Sequence, residues 1–321
     1  MCYAALVAAD LRRLEREFGI NIDFAGFQRA YEARAADPKS FKIPIAFDRQ
    51  FLGMQEEATT SIVAAIHQYR SQRIPEWEAE IVDLHRRHVE AQQKLEKKET
   101  KTAQKELQVT ANKIQQRLKW LNDFLDAETT EEDEIVYPMH YGPLIIERDG
   151  QRTLTPMRYH CRLPGHAPVT DHRLQGNYNA RLDSLEDWWR PVFGKNHGLL
   201  VLDGFRENVK RHDMQGRVLS EGEQPENVVL QFKPKDATQM LVPCIWSRWE
   251  RDDETLFSMA LITDDPPAEV AAAGHNRCPI NLTREAALAW LGPRGRSSAE
   301  LFEILSQRYR PYYEHRIAEA A

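Results

Sequence analysis

The sequence contains no long apolar run. Hydrophobic residues make up 42% of its 321 residues, but no stretch approaches the roughly 20 consecutive apolar residues that a membrane-spanning helix needs. The N-terminus also lacks the basic segment followed by an apolar core that is typical of a secretory signal. We therefore expect a cytoplasmic protein that does not bind a membrane.

Cysteine is scarce and scattered. The chain has four cysteines and no CxxC pair, which argues against a disulfide framework or a zinc site of the usual spacing. The nearest grouping of metal-ligand type, His160, Cys161 and His166, has no convincing fourth ligand. We expect free thiols in a reducing compartment, no metal and no cofactor. The four cysteines are Cys2, Cys161, Cys244 and Cys278.

Basic residues do not predominate. The chain carries 43 Lys and Arg against 49 Asp and Glu, for a net charge of −6. This balance argues mildly against a protein that coats nucleic acid nonspecifically. Partner binding depends on the field of a local patch rather than on the total charge, so a basic groove is still allowed.

Glycine and proline are almost missing from residues 56–130. No glycine lies between Gly53 and Gly142, and Pro75 is the only proline in the segment. Apolar positions recur with heptad spacing on both sides of a polar break near residues 99–102, which predicts two helices paired as an antiparallel hairpin. We interpret this hairpin as a solvated coiled-coil arm, with a partner-binding or DNA-steering role as the alternative. The seam positions are Trp77, Ile81, Leu84, His88, Ala91 and Leu95, then Leu107, Ala111, Ile114, Leu118, Leu121 and Leu125.

The rest of the chain consists of short apolar runs bounded by turn residues. Such runs predict strands, and many strands with few helices predict an α+β domain built on a curved or barrel-like sheet. We expect one discontinuous domain of residues 1–55 and 135–321, with residues 56–130 inserted as the helical hairpin. The expected strands are 4–7, 41–47, 134–146, 152–163, 199–202, 228–232, 240–247 and 256–263, and the expected helices are 10–18, 185–192, 284–291 and 298–306.

The chain begins Met1-Cys2. If Met1 is removed, Cys2 carries a free α-amine, with an ordinary pKa near ~8, beside a thiol whose ordinary pKa is near ~8.5. Both groups are nucleophiles when deprotonated. The pair is a 1,2-aminothiol, which exists only when cysteine is the first residue.

Four polar stretches lie at positions that structural needs alone do not readily explain. They are Asn177–Arg181, Asp203–Glu207, Gly274–Ile280 and Pro156–His160. Each stretch taken singly is better explained by a structural role, such as a cap, a surface ion pair or a loop hydrogen bond, than by chemistry. Together with Cys2 they supply a nucleophile, an amide, a carboxylate and an imidazole, which are the groups expected for covalent chemistry at a carbonyl carbon.

The order of these motifs resembles the SOS response-associated peptidase (SRAP) family of abasic-site-processing proteins. The resemblance covers residues 1–50 and 135–295. It implies a β-rich pseudo-barrel with flanking helices, binding of single-stranded DNA, and a covalent thiazolidine crosslink from Cys2 to the ring-opened sugar aldehyde of an abasic site. It also implies association with the nucleoid, autopeptidase activity and lyase activity at the same site. The matching stretches are Met1-Cys2, 179–181, 204–207, 260–263, 275–279 and the helix at 282–291.

The resemblance assigns roles to individual residues. Asn179 would hold the N-terminal residue, Glu207 would transfer protons during ring opening and imine formation, and His275 would act as a second acid and base near the sugar. A second set would contact the DNA around the lesion, three arginines through phosphates and a tyrosine by stacking on a base or sugar. That set is Arg158, Arg181, Arg277 and Tyr159.

Three positions depart from the family pattern. Tyr3-Ala4 stands where members commonly have Gly-Arg, Arg158–His160 stands near an expected Trp-Gly pair, and Asn208 replaces a Trp after the Glu. The first departure removes one expected phosphate-binding arginine. The second concerns the stacking contact with DNA. In addition, residues 308–321 contain no clear match to the family's C-terminal Pro-Val-Ser segment.

Two other interpretations remain open at this point. An N-terminal-nucleophile amidohydrolase would use the Cys2 thiol to attack a small amide, with its own amine as the base. A non-catalytic interaction protein would work through a partner bound at residues 56–130. Hydrolysis of small amides without affinity for DNA would favour the amidohydrolase. A function that survives Cys2→Ala but is lost on deletion of residues 60–128 would favour the interaction protein.

Overall fold

The computed structural model describes residues 3–126, 128–148, 150–252 and 254–318, so Cys2 lies outside the described residues. The strands are β1 Ala4–Val7, β2 Asn21–Ile22, β3 Ile135–Val136, β4 Tyr141–Arg148, β5 Gln151–Tyr159, β6 Asn179–Arg181, β7 His197–Lys210, β8 Asn227–Pro234, β9 Met240–Arg251, β10 Glu254–Asp264, β11 Cys278–Pro279 and β12 Tyr313–Ile317. The helices are α1 Leu11–Phe18, α2 Phe24–Ala36, α3 Ile45–Gly53, α4 Thr60–Lys97, α5 Lys101–Leu125, α6 Thr170–Arg173, α7 Arg211–Met214, α8 Ala268–Ala272, α9 Arg284–Trp290 and α10 Ser298–Ser306.

Five strands close into a barrel. β4 pairs antiparallel with both β5 and β7, β7 pairs antiparallel with β9, and β9 pairs antiparallel with β10. A parallel pairing of β10 with β5, Ser258 opposite Arg158, completes the ring. Closure leaves no free edge among these strands. The expected α+β fold with a barrel-like sheet and flanking helices is confirmed.

Strand β7 carries the chain out of the barrel. Its first half, 197–202, pairs with β9, and its second half, 205–210, pairs with β8. Gly204 lies between the halves, opposite Leu6 of β1. A Cβ atom on Gly204 would lie 2.4 Å from the carbonyl oxygen of Phe232, so a side chain does not fit where the two strands approach each other.

The N-terminal strand β1 lies between two antiparallel neighbours. Ala5 pairs with Phe205 of β7 on one side and with Val136 of β3 on the other. Both Ala4 and Ala5 are fully buried. The strand therefore leads residue 3 along β7 toward Glu207.

The helical arm, which we define as residues 60–125, consists of α4 and α5. Thr100 caps α5 by accepting a hydrogen bond from the backbone N–H of Ala103. Across the seam, Nδ1 of His88 lies 2.8 Å from Oγ1 of Thr110, and Leu84 is buried. The prediction of two helices separated by a short break is confirmed. No helix among the described residues combines the length and apolar character that crossing a membrane requires.

Two expected elements are wrong. Residues 41–47 do not form a strand, because Pro44 stands at the N-cap of α3 and residues 45–47 are helical. Residues 185–192 form turns rather than a helix. Their apolar spacing nevertheless has a packing reason, since Leu185, Trp189 and Val192 are all buried in the core.

Candidate active site

Glu207 lies in the second half of β7 and is completely buried. The backbone N–H of Tyr3 lies 3.2 Å from Oε2 of this carboxyl and 2.9 Å from the carbonyl oxygen of Arg206. The pairing of β1 with β7 produces this approach, because Ala4 stands opposite Arg206. The carboxyl of Glu207 therefore faces the backbone at the very start of the described chain.

His275 approaches the same carboxyl from the segment after α8. Its Nε2 lies 3.2 Å from Oε2 of Glu207, and its Nδ1 lies 2.8 Å from the carbonyl oxygen of Arg277. A carbonyl oxygen can only accept a hydrogen bond, so this contact requires the ring proton of neutral His275 on Nδ1, whereas the Arg277 N–H, 3.3 Å from the same atom, requires a lone pair there. The shorter contact favours the tautomer with the proton on Nδ1. The lone pair on Nε2 is then directed at Glu207.

Burial shifts both groups toward their neutral forms. Desolvation raises the pKa of Glu207 well above its ordinary value, against the opposing effect of the Tyr3 hydrogen bond. Desolvation lowers the pKa of His275 to about 4, which outweighs the hydrogen bond to Arg277. Burial therefore favours a protonated carboxyl beside a neutral imidazole.

Asn179 begins β6, which pairs parallel with β10 and places Asn179 opposite Leu261. Asn179 is buried, and so is the neighbouring Tyr178. The same pairing sets Arg181 opposite Thr263, two residues along the strand. Strand β6 thus carries both Asn179 and Arg181, two of the predicted site residues, along β10.

Arg277 and Arg181 meet at Thr263. The guanidinium of Arg277 donates to Oγ1 of Thr263 through Nε (3.1 Å) and Nη2 (2.9 Å), and also to the Thr263 carbonyl oxygen. Arg277 is buried and makes no ion pair with any described residue, whereas exposed Arg181 pairs with Asp183 at 2.7 Å. Burial, followed by the charge of Arg181, lowers the pKa of Arg277. Among the described residues, the Arg277 guanidinium is thus held by a hydroxyl and a carbonyl oxygen, and three aspartates act on it only through their charge. These aspartates are Asp183, Asp264 and Asp265.

Arg158 and Tyr159 lie deeper than a DNA contact requires. Arg158 is 6% exposed, forms an ion pair with Asp171 at 2.9 Å, and donates to the carbonyl oxygen of His160. Tyr159 is fully buried, and its ring meets that of Tyr178 edge to face. The structure does not bring these two side chains to the surface, and their contact with DNA stays a prediction.

Three residues of the site region were not singled out from the sequence. Thr263 orients Arg277; it ends the family-like stretch 260–263, but no role of its own was predicted for it from the sequence. Tyr137 packs edge to face on Tyr3. Glu132 forms an ion pair with Arg206 and so ties the segment that follows the helical arm to the strand that carries Glu207.

The residues described by the structure contain no group of three or more His, Cys, Asp or Glu side chains that could hold a metal ion. His160, a member of the weak grouping seen in the sequence, instead has its Nε2 2.9 Å from the carbonyl oxygen of Leu174. The three cysteines in the described ranges, Cys161, Cys244 and Cys278, are buried free thiols.

Solved structures share low sequence identity with this chain. A protein from Bacteroides thetaiotaomicron is 18% identical, with 57% of this chain and 76% of that chain covered and a TM-score of 0.45. Two proteins from Bordetella bronchiseptica are 17% and 18% identical, the second of them phage-related. They cover 61% and 58% of this chain and 90% and 81% of their own, with TM-scores of 0.46 and 0.44.

The family comparison is more extensive. No curated protein is similar enough to count as a match. A family model, however, matches residues 97–319, which is more than half of the chain and includes Asn179, Glu207 and His275. The matched family is described as SOS response associated peptidase (SRAP), so this chain belongs to the SRAP family, and its function is associated with DNA and the response to DNA damage.

Proposed function

We propose that the protein senses abasic sites in single-stranded DNA and crosslinks to them through Cys2 after removal of Met1. The observation that carries this proposal is the 3.2 Å approach of the Tyr3 nitrogen to the Glu207 carboxyl. That nitrogen is the atom that joins Tyr3 to Cys2 in the chain. A buried acid and a neutral imidazole thus stand one peptide bond from the proposed nucleophile.

The chemistry requires a proton donor and a proton acceptor at one carbon. The free amine of Cys2 adds to the sugar aldehyde, the resulting hydroxyl leaves as water, and an imine remains. The thiol then adds across the C=N bond and closes a five-membered thiazolidine. The carboxyl of Glu207, whose protonated form burial favours, supplies the proton that the departing hydroxyl needs. The imidazole of His275, whose neutral form burial favours, accepts the proton that the amine or thiol gives up.

The arginine pair supports a nucleic-acid substrate. Arg277 is held by Thr263 without a carboxylate partner among the described residues, and Arg181 lies exposed beside it. Guanidinium groups bind phosphate oxygens in a fixed geometry. We propose that Arg277 and Arg181 contact the phosphates that flank the lesion, and that Asn179 holds the N-terminal residue.

The proposal is tested with single-stranded DNA in which uracil glycosylase has converted one uracil to an abasic site. We expect wild-type protein, whose intact mass lacks Met1, to form an adduct that survives heat and denaturant. Cys2→Ser keeps the amine but cannot close the sulfur ring. It should give an adduct only when borohydride reduces the imine.

Two results would overturn the proposal. One is an undiminished, denaturant-stable adduct with Cys2→Ala. The other is the absence of any adduct from wild-type protein that has demonstrably lost Met1. Hydrolysis of small amides by that same protein, without affinity for DNA, would identify an N-terminal-nucleophile amidohydrolase instead.

A further inference from the structure

Five exposed lysines surround the turn of the helical arm. None of them forms an ion pair with any residue in the described ranges. Only two acidic residues, Glu96 and Glu99, lie among them, and Glu99 accepts a hydrogen bond from Gln104. We call residues 94–105 the arm tip, and its net charge is +3. The five lysines are Lys94, Lys97, Lys98, Lys101 and Lys105.

The shaft of the arm, residues 60–93 and 106–125, is arranged differently. It carries seven basic and seven acidic residues and is therefore neutral. Five of its seven basic residues form ion pairs, among them Arg87 with Glu106 at 2.7 Å and Arg86 with Glu90 at 2.8 Å. Charge on the shaft is thus balanced pair by pair, whereas the charge on the tip is left for an external partner.

The charge of the whole chain sharpens this contrast. The net charge is −6, and the arm contributes +3, which leaves −9 for the remaining residues. A positive tip on a negative protein favours a polyanion as its partner. The tip offers little to other partners, because the exposed large apolar residues of the arm, Val82, Val89, Leu118 and Leu125, all lie on the shaft. It therefore lacks the apolar face that a membrane-binding helix or the core of a protein interface needs.

The dimensions of the arm determine where such a contact falls. Helix α4 has 38 residues, which at 1.5 Å per residue span about 57 Å. That length corresponds to about 17 base pairs of duplex at 3.4 Å each. The root of the arm continues into residues 131–136, which pack beside β1 and carry Glu132, the partner of Arg206. Helix α4 begins against the domain core through Ile62 and Ile66, and the tip lies at its other end, so we expect a contact at the tip to lie several nucleotides from Glu207.

We infer that the arm tip is a second, sequence-independent DNA-binding site that grips the phosphate backbone at a distance from the lesion. This inference rests on DNA as the ligand of the proposed function. Lysine suits the role, because its compact ammonium on a flexible stem attracts phosphates without reading a base. The two contacts together make binding depend on DNA length, since the tip engages only a molecule long enough to reach it.

The test measures non-covalent binding of the full-length protein by fluorescence anisotropy. Two single-stranded oligonucleotides each carry a central tetrahydrofuran, an abasic analogue that has no aldehyde and cannot crosslink. One of about 10 nucleotides is too short to reach the tip, and one of about 50 is long enough. The variant replaces all five tip lysines by glutamine, which keeps helix propensity. K97Q/K98Q and K113Q/K119Q form a matched pair that removes two lysines from the tip or two from the shaft.

We expect the five-lysine variant to bind the long oligonucleotide at least about tenfold more weakly than wild type at low salt, with unchanged affinity for the short one. The slope of log affinity against log salt should flatten by about 0.7 for each lysine that contacts a phosphate. K97Q/K98Q should show part of the loss, and K113Q/K119Q none.

Equal affinities of wild type and the five-lysine variant for the long oligonucleotide would overturn the inference. An equal loss on both lengths, or from K113Q/K119Q, would do the same. The inference and the proposed function fail separately. If aldehyde-containing DNA gives no adduct while the length-dependent effect persists, only the crosslinking chemistry is wrong.

Discussion

The Oε2 atom of Glu207 lies 3.2 Å from Nε2 of His275, although one residue belongs to the long strand β7 and the other follows the short helix α8. The contact is buried, and burial favours the neutral form of each group. The 2.8 Å contact of His275 Nδ1 with the carbonyl oxygen of Arg277 is shorter than the 3.3 Å contact from the Arg277 N–H and favours a proton on Nδ1. In that tautomer Nε2 is the atom that can exchange a proton with the carboxyl. This geometry is the reason we propose that the two residues act together as one proton-transfer unit.

Replacement of Glu207 by glutamine should disable this unit with little change in shape. Glutamine still fits the buried site and still accepts a hydrogen bond from the Tyr3 N–H, but it cannot release a proton. We expect the single-turnover rate of crosslinking to abasic DNA to fall by about a hundredfold or more, with unchanged affinity for the tetrahydrofuran oligonucleotide. Rate constants from quenched time courses on denaturing gels measure the effect. An E207Q rate equal to that of wild type would exclude proton transfer by this carboxyl.

Local sequence signals predicted the elements that local interactions determine. Helix α1 begins after Asp10, which accepts from the Arg13 N–H, and ends at Gly19 in the left-handed conformation, so both ends were readable. The two helices of the arm could be predicted because the apolar seam positions repeat within each helix. The alternation of residues 41–47 wrongly indicated a strand. Proline is favoured at the start of a helix, and Pro44 is the N-cap residue of α3.

The site could be predicted less well from local sequence signals, because pairing between strands that are distant in sequence brings its residues together. Strand β7 was expected to end at Leu202, but it continues through Gly204 to Lys210, and only this continuation brings Glu207 beside Tyr3. No periodicity in the sequence relates Glu207 to His275. Their common role was predicted from family resemblance, and the support of Arg277 by Thr263 could not be seen without the pairing of β6, β10 and β11.

The contact between Arg277 and Thr263 gives a second prediction. R277A should weaken binding to the tetrahydrofuran oligonucleotide by about ten- to a hundredfold, as expected for the loss of a charged hydrogen bond. T263V keeps the shape of the side chain but removes Oγ1, which accepts from both Nε and Nη2 of Arg277, so we expect a smaller loss. Because Thr263 acts through Arg277, R277A/T263V should bind no more weakly than R277A. Additive losses in anisotropy titrations would show that Thr263 does not position the arginine.

His197 gives a prediction about stability and pH. Its ring is buried and stacked on Trp290 at 3.6 Å, Nε2 accepts from the Gly194 N–H, and Nδ1 lies 3.0 Å from the Trp290 carbonyl oxygen. Desolvation lowers the pKa of His197 to about 3, whereas an unfolded chain binds the proton near pH ~6.5. The unfolded state therefore holds more protons between these values, and the free energy of unfolding must fall as pH drops through this window.

Glutamine at position 197 cannot titrate, so H197Q should be less stable than wild type at pH ~7 but less sensitive to acid. We expect the difference in unfolding free energy between pH ~7 and ~4.5 to shrink by about 2 to 3 kcal/mol relative to wild type, at about 1.4 kcal/mol for each pH unit below the unfolded pKa. Urea titrations at the two pH values measure it. H67Q, which removes an exposed imidazole from α4, controls for the loss of a histidine. If H197Q and wild type lose the same free energy on acidification, the buried ring is not the group whose protonation destabilises the fold.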